Sequence, residues 1–255
     1  MEKALLPLLV ALDLFLGLVL ALDAGRRLGA HRRARSPGPL EGLGAVEGAV
    51  FGLLGLLVAF TFSEAAARFN VRRDQIVQEA NTIGTAWLRL DLLPAAAQPA
   101  IRDDFRSYVE ARLSVFRAFS RDSFQAESDR VAALQGEIWR AAVAACRESP
   151  GQVPMLVLPA LNDMIDFAAT RTYTALRHPP AVIYVTLCFL ALASALIAGY
   201  GMGATGTRSW FHVLAFALIL ALAVDVILDL EFPRVGFIRI DSYDRVMVDL
   251  LQSMK

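Results

Sequence analysis

The chain is predicted to be an all-α integral membrane protein with four transmembrane helices in two pairs and an extramembrane helical bundle inserted between the pairs. Three observations carry this. Four long apolar runs, Ala4–Leu22, Leu43–Phe62, Ala181–Tyr200 and Trp210–Leu228, each reach the ~20 residues that a helix needs to cross a ~30 Å hydrocarbon core. Hydrophobic residues make up 56% of the 255, and the excess sits in those runs. The polar stretch between the pairs shows helical periodicity and no strand alternation. The resulting segments are 1–62 (first span pair with a basic loop), 63–180 (helical domain), 181–228 (second span pair) and 229–255 (tail).

The first run resembles a signal peptide only superficially. Met1-Glu2-Lys3 has no net positive charge, and Leu22-Asp23-Ala24 is a poor cleavage site, so a retained anchor is expected. Asp23–Gly42 follows, with Arg26, Arg27, His31, Arg32, Arg33 and Arg35 before Ser36-Pro37-Gly38-Pro39, and it reads as a solvated, irregular loop. Basic residues in short loops stay on the cytoplasmic side, which would place the large domain on the non-cytoplasmic side of the inner membrane.

The second run carries Gly44, Gly48 and Gly52 at intervals of four, the small-residue signature of close helix contact in membranes. From Gly48 one 3–4 pattern continues through Gly52, Gly55, Ala59, Phe62, Ala66, Phe69, Arg73, Ile76, Ala80, Ile83, Trp87 and Leu90. No proline interrupts it before Pro94, so a single helix of ~65 Å is expected to run from the bilayer into the domain. The stripe from Gly44 to Ala59 is the expected helix-packing and oligomer face, which makes a homo-oligomer the expected state.

Three amphipathic helices follow. Ile101, Phe105, Tyr108, Val109, Leu113 and Phe116 mark the first, Val131, Leu134, Ile138, Ala142 and Ala145 the second, and Val157, Leu161, Met164, Ile165 and Ala168 the third. Trp210 and Tyr200 bracket an expected short turn, Gly201–Ser209, as interfacial anchors. Past Pro233 and Gly236 a tail helix is expected from about Ser242 to Met254.

Candidate chemistry is sparse. Asp13 near the middle of the first span, Glu47 near the start of the second, and Asp225 and Asp229 on one face of the fourth form a candidate ion pathway. An ionised carboxylate in the bilayer costs ~2.5–3.5 kcal/mol, so such groups should face a bundle interior or water. Hydrogen-bonded packing is the plainer reading of each. Glu79, Asn81, Asn162, Asp166 and Arg171 are expected to form a polar network of the domain, since buried polar groups need partners. Segment 63–180 holds equal numbers of arginines and acids and no lysine, and the whole chain is formally neutral. Nothing there points to nucleic acid. With no nucleophile, Walker, dinucleotide or HExxH motif, no enzyme and no cofactor are expected. Cys146 and Cys188 have no metal spacing and fall in different segments, so neither a metal site nor a disulfide is expected.

Several segments together carry a family resemblance. They are Phe60-Thr61-Phe62-Ser63 with Arg68-Phe69 and Arg72-Arg73, Gln78-Glu79-Ala80-Asn81-Thr82-Ile83-Gly84-Thr85-Ala86, Asn162-Asp163-Met164-Ile165-Asp166 with Arg171, and Ile227-Leu228-Asp229-Leu230-Glu231-Phe232-Pro233-Arg234 with Gly236. In combination they resemble the bacterial bestrophin-like domain family. The resemblance implies kinship with bestrophins, pentameric ion channels with paired spans around a helical domain, whose partners are the lipid bilayer and small inorganic ions. It also implies a cytoplasmic large domain, opposite to the side that the arginine-rich loop indicates. The functional expectation is an oligomeric channel with a weak preference for cations, because the spans contain acids and no basic residue. A non-conducting membrane-anchored assembly or sensor is the alternative, and an intramembrane enzyme a more distant one.

Overall fold

The computed structural model describes residues 5–36, 43–118, 120–149, 151–206, 209–234 and 236–254. Met1–Ala4, Pro37–Pro39, Gly42 and residues 207–208 of the expected turn lie outside the described residues. All regular structure described is helical: α1 (Leu5–Arg35), α2 (Leu43–Arg89) with a 3-10 turn at Leu90–Leu92, α3 (Gln98–Arg117), α4 (Arg121–Arg147), α5 (Val153–Leu176), α6 (Ala181–Thr205), α7 (Trp210–Glu231) and α8 (Arg245–Ser253). Four helical stretches are long and apolar enough to cross a membrane: Leu8–Arg35, Leu43–Leu92, Val153–Thr205, whose apolar part is α6, and Trp210–Glu231.

The chain divides into two compact units, residues 1–70 with 178–239 and residues 71–177 with 240–255. In the first, α1, α6 and α7 pack around Leu14, Leu18, Leu22, Leu187, Ala191, Ala195, Ala217, Leu220 and Val224. The closest approach is between α1 and α6. A Cβ added at Gly203 would lie 2.0 Å from the Arg26 carbonyl oxygen, one at Gly25 2.0 Å from that of Leu196, and one at Gly199 2.1 Å from that of Leu22. Only glycine lets the two backbones touch, and such contact is how helices gain packing energy in lipid.

Two expectations are corrected here. The segment after Leu22 is not an irregular loop, because α1 continues to Arg35. Gly25 and Gly29 dock it on α6, and Arg32, Arg33 and Arg35 in the last turn complement the helix dipole. The turn expected from Gly201 begins later. Gly201 and Gly203 are helical packing positions, and α6 ends at Gly206, whose φ of 78° suits the left-handed cap.

The 47-residue α2 confirms the single long helix, about 70 Å at 1.5 Å per residue. The expected stripe is buried in the polar half, at Ile76, Ala80, Ile83 and Leu90. Ala66 and Phe69 pack against the core of the first unit, but nearer the start of the helix the contact face departs from the stripe. In the apolar half the covered positions include Glu47, Phe51, Leu54, Val58, Thr61 and Ala65, one residue out of step with Gly48, Gly52, Gly55, Ala59 and Phe62, which are exposed. A Cβ at Gly44, Gly48, Gly52 or Gly55 would meet nothing within 4 Å.

The second unit combines the polar half of α2 with α3, α4, α5 and α8. Its core holds Ile76, Ile83, Leu90, Ile101, Phe105, Tyr108, Ile138, Leu161, Met164 and Met247. The expected apolar positions of α3, α4 and α5 are buried except Phe116 and Ile165, which are half-buried. Ser120 and Ser123 cap α4 reciprocally. The tail helix begins slightly later than expected, at Arg245, and packs on α3, where Arg106 Nη1 donates to the Met254 carbonyl at 2.9 Å. Cys146 and Cys188 are both free, and burial pushes the Cys146 thiol up from its usual range.

Asp104 on α3 is half-buried. Burial first, then the charges of Glu137 on α4 and Asp103, hold its carboxyl above the usual 3.8. A carboxyl with a raised folded-state pKa favours the folded state at low pH and loses that contribution as pH rises through its folded value. Asp104→Asn is therefore expected to raise Tm slightly at pH 7, with the gain vanishing below pH 3.8. Thermal scans of detergent-solubilised protein at both pH values check this, and a gain that grows on acidification would contradict it.

Candidate functional site

The sequence-predicted acids of the spans occupy three different environments. Asp13 is exposed, off the face that α1 packs against α6 and α7. Glu47 is half-buried, its carboxylate against α6 where Gly201 has no side chain; a Cβ there would lie 2.3 Å from Glu47 Oε1. That Oε1 is buried and has no hydrogen-bond partner among the described residues, and the same holds for Asp225 Oδ1 on α7.

Asp229 is different, because its carboxylate is fully engaged. The backbone N–H of Phe237 donates to both of its oxygens at 2.9 and 3.0 Å, and that of Ile238 donates at 2.7 Å. Gly236 makes this possible, since a Cβ at that position would coincide with the carboxylate. Asp229 thus pins the turn after α7. Of the four acids, only Glu47 and Asp225 combine burial with an unpartnered oxygen.

A second charged centre in the same unit is built on Glu231, the fully buried last residue of α7. Arg68 Nε of α2 donates to its Oε2 at 2.8 Å, and His178 Nδ1 lies 3.0 Å from its Oε1. The His178 ring stacks on Phe232 with centroids 4.7 Å apart. Arg68 and Glu231 were visible only as family-like residues; the histidine falls 53 positions from its partner, and no local pattern announces the pairing.

In the other unit the polar residues sort themselves sharply. Glu79 of α2 is wholly buried and receives two guanidinium groups. Arg112 Nε of α3 lies 2.5 Å from Oε1, and Arg171 Nη1 of α5 donates to Oε2. Arg112 also donates to Thr172 Oγ1 at 3.1 Å and to the Ala168 carbonyl at 3.3 Å. Arg171 continues to Asp244 at 3.6 Å and lies over the Phe116 ring at 3.9 Å. Two carboxylates thus balance two guanidiniums out of water, the condition on which a buried ionic cluster is tolerated. Nearby, burial pushes the Tyr108 phenol up to about 12 despite the opposing charge of Arg112.

The expected five-residue network therefore reduces to Glu79 and Arg171, joined by Arg112 and Asp244, which sequence reading did not find. Asn162 Nδ2 donates to Asp166 Oδ2 one turn further along α5 at 2.8 Å. Among the described residues neither side chain has a partner on another helix, and both residues are exposed, as is Asn81. These residues stand on solvent-facing turns, so water satisfies them and no partner helix is required. Asn81 instead lines a shallow cleft of about 170 Å³ with Gln78, Thr82, Thr85, Ala160 and Asp163. Among the described residues no group of three histidine, cysteine or acidic side chains is placed to hold a metal.

A family profile described as a bestrophin-like domain matches residues 14–243, which include every segment that carries the resemblance as well as Glu79, Arg112, Arg171 and Glu231. Asp13 stands just outside the matched region. No curated protein and no solved structure matches the chain. With four membrane-length apolar helices and a profile spanning most of its length, the chain belongs to the bestrophin-like domain family and is a membrane protein of that family.

Proposed function

We propose that the chain assembles with copies of itself into a bestrophin-like ion channel of the inner membrane, with a weak preference for cations. One observation carries the reading. The most apolar window of α2 is only 6% buried, against 39% for α7, so the helix with the glycine face is the one its own chain covers least. Small residues on an uncovered membrane helix favour helix–helix contact over lipid contact, and further copies are the available source of such helices.

In this reading the spans form two pairs, the helical domain is extramembrane on the non-cytoplasmic side, and the arginines of α1 face the cytoplasm. The ion path passes Asp13, which the single chain leaves uncovered, and Glu47 and Asp225, whose unpartnered oxygens are available to a cation or a proton. Asp229 holds a turn and takes no part.

Purified protein fused into planar bilayers is expected to conduct. Under a salt gradient Asp13→Asn should move the reversal potential toward zero, since one carboxylate per subunit is lost from the path. Electrically silent bilayers containing assembled protein would remove the proposal. The cleft of Gln78, Asn81, Thr82, Thr85, Ala160 and Asp163 favours a second reading, a non-conducting assembly or sensor that acts through its helical domain. Under that reading Asp13→Asn changes nothing measurable.

A further inference from the structure

Five arginines follow the apolar part of α1 within thirteen residues, and one aspartate answers them. Asp23 takes Arg26 at 2.8 Å and Arg27 at 2.6 Å. Among the described residues Arg32, Arg33 and Arg35 have no carboxylate partner. If these arginines served only to orient the helix in the membrane, they could lie on any face of it. Two of them do not.

Arg26 and Arg33, seven residues apart and so on one face of α1, line a cleft of about 500 Å³ with Ala30, Ala34 and, from α6, Met202, Gly203 and Gly206. The glycine contacts between the helices set its width, because Gly203 rests on the Arg26 carbonyl. Gly206 makes room for the other end: the Arg33 guanidinium lies where a side chain at that position would be. Beside it Arg26 and Asp23 edge a narrow crevice of about 10 Å³ floored by buried Leu22 and Val213 and rimmed by Met202, Ser209 and half-exposed Trp210. Leu22 ends the apolar stretch of α1 and Trp210 opens α7, so the cleft lies at the headgroup level, charged at one end and apolar at the other.

We infer that this α1–α6 cleft holds the phosphate headgroup of an anionic phospholipid, with Arg33 and Arg26 on the phosphate and the upper acyl chain over half-buried Met202 and exposed Trp210. Guanidinium groups match phosphate oxygens in bidentate geometry, and basic side chains at this depth attract anionic lipid. Asp23 leaves the pair of arginines net positive. A soluble phosphate would find the charge but gain nothing from the apolar half.

The test uses the full-length protein in phosphatidylcholine nanodiscs with a minor fraction of phosphatidylglycerol, and native mass spectrometry counts the lipid retained on release. Phosphatidylglycerol should be retained in preference to phosphatidylcholine. Arg33→Gln and Arg26→Gln should each lower that retention about fivefold, as expected for one basic group at the membrane surface. Arg35→Gln, which lies outside the cleft, should not change it. Arg33 is exposed, so its replacement leaves the core intact, and unchanged circular dichroism verifies this. Equal retention of the two lipids, equal losses for Arg33→Gln and Arg35→Gln, or displacement of the lipid by millimolar inorganic phosphate would each overturn the inference. The first would mean no headgroup recognition, the second a diffuse charged surface, and the third a site for free phosphate. Conductance plays no part in the readout, so failure here is separate from failure of the channel proposal.

Discussion

Gly203→Ala should destabilise the folded chain by ~1–3 kcal/mol or more, the usual cost of forcing an extra methyl into a filled space. The added carbon would lie 2.0 Å from the Arg26 carbonyl oxygen and 2.8 Å from the Ala30 nitrogen, both backbone atoms that cannot rotate away. Relief requires α1 and α6 to separate, and their contact extends over Gly25, Gly29, Gly199 and Gly203. Gly48→Ala and Gly52→Ala provide the contrast. Neither meets an atom within 4 Å, and alanine is the better helix former by ~1 kcal/mol, so the single chain should be as stable or more so. Their effect, if copies pack there, should fall on oligomer size alone. Thermal unfolding in detergent, read beside size-exclusion chromatography, separates the two sets. A Gly203→Ala protein that melts like the parent would show that these helices do not touch.

Glu79→Gln should cost ~3–5 kcal/mol, because it leaves Arg112 and Arg171 as buried charges with Asp244 as their remaining carboxylate. The replacement keeps shape and volume, so the loss is of charge and not of packing. Because Asp244 precedes α8 and bonds Arg171, the tail helix should loosen at the same time. Limited proteolysis of the tail and a thermal scan should therefore change together. Asn162→Ala and Asp166→Ala, which touch only an exposed turn of α5, should stay within ~0.5 kcal/mol of the parent. Equal effects at Glu79 and Asp166 would mean that the buried cluster is not what holds this unit.

Much of the fold was legible in the sequence because it depends on local periodicity. The apolar runs, the unbroken α2 and the core positions of α3, α4 and α5 all follow from a 3.6-residue repeat and the absence of breakers. The glycines show where that reasoning stops. Gly44, Gly48 and Gly52 form the cleaner motif, yet it is Gly25 and Gly29 on α1 that rest on the backbone of Leu196, Tyr200 and Ala204, and Gly199 and Gly203 on α6 that rest on that of Leu22, Arg26 and Ala30. Sequence identifies a face that permits close approach but not the helix that uses it. Arginine content similarly disguised the last three turns of α1, which read as loop until α6 was in place to hold them.

The candidate sites divide along the same line. Glu79 and Arg171 were named from the sequence, while Arg112 and Asp244 were not, since their partners lie 33 and 73 residues away. Asp229 and Glu231 are two positions apart and chemically alike, yet one binds backbone amides and the other an arginine and a histidine.

By itself the sequence determined the membrane helices, their order, the length of α2 and the family, because hydrophobic run length and helical period are properties of neighbours along the chain. Tertiary structure alone decided which glycines bear the helix contact, which acids keep an oxygen free, and which arginines line a cleft. Those outcomes depend on what each side chain meets across space, and in helices of similar composition many faces are chemically able to pack while only one arrangement brings backbone onto backbone.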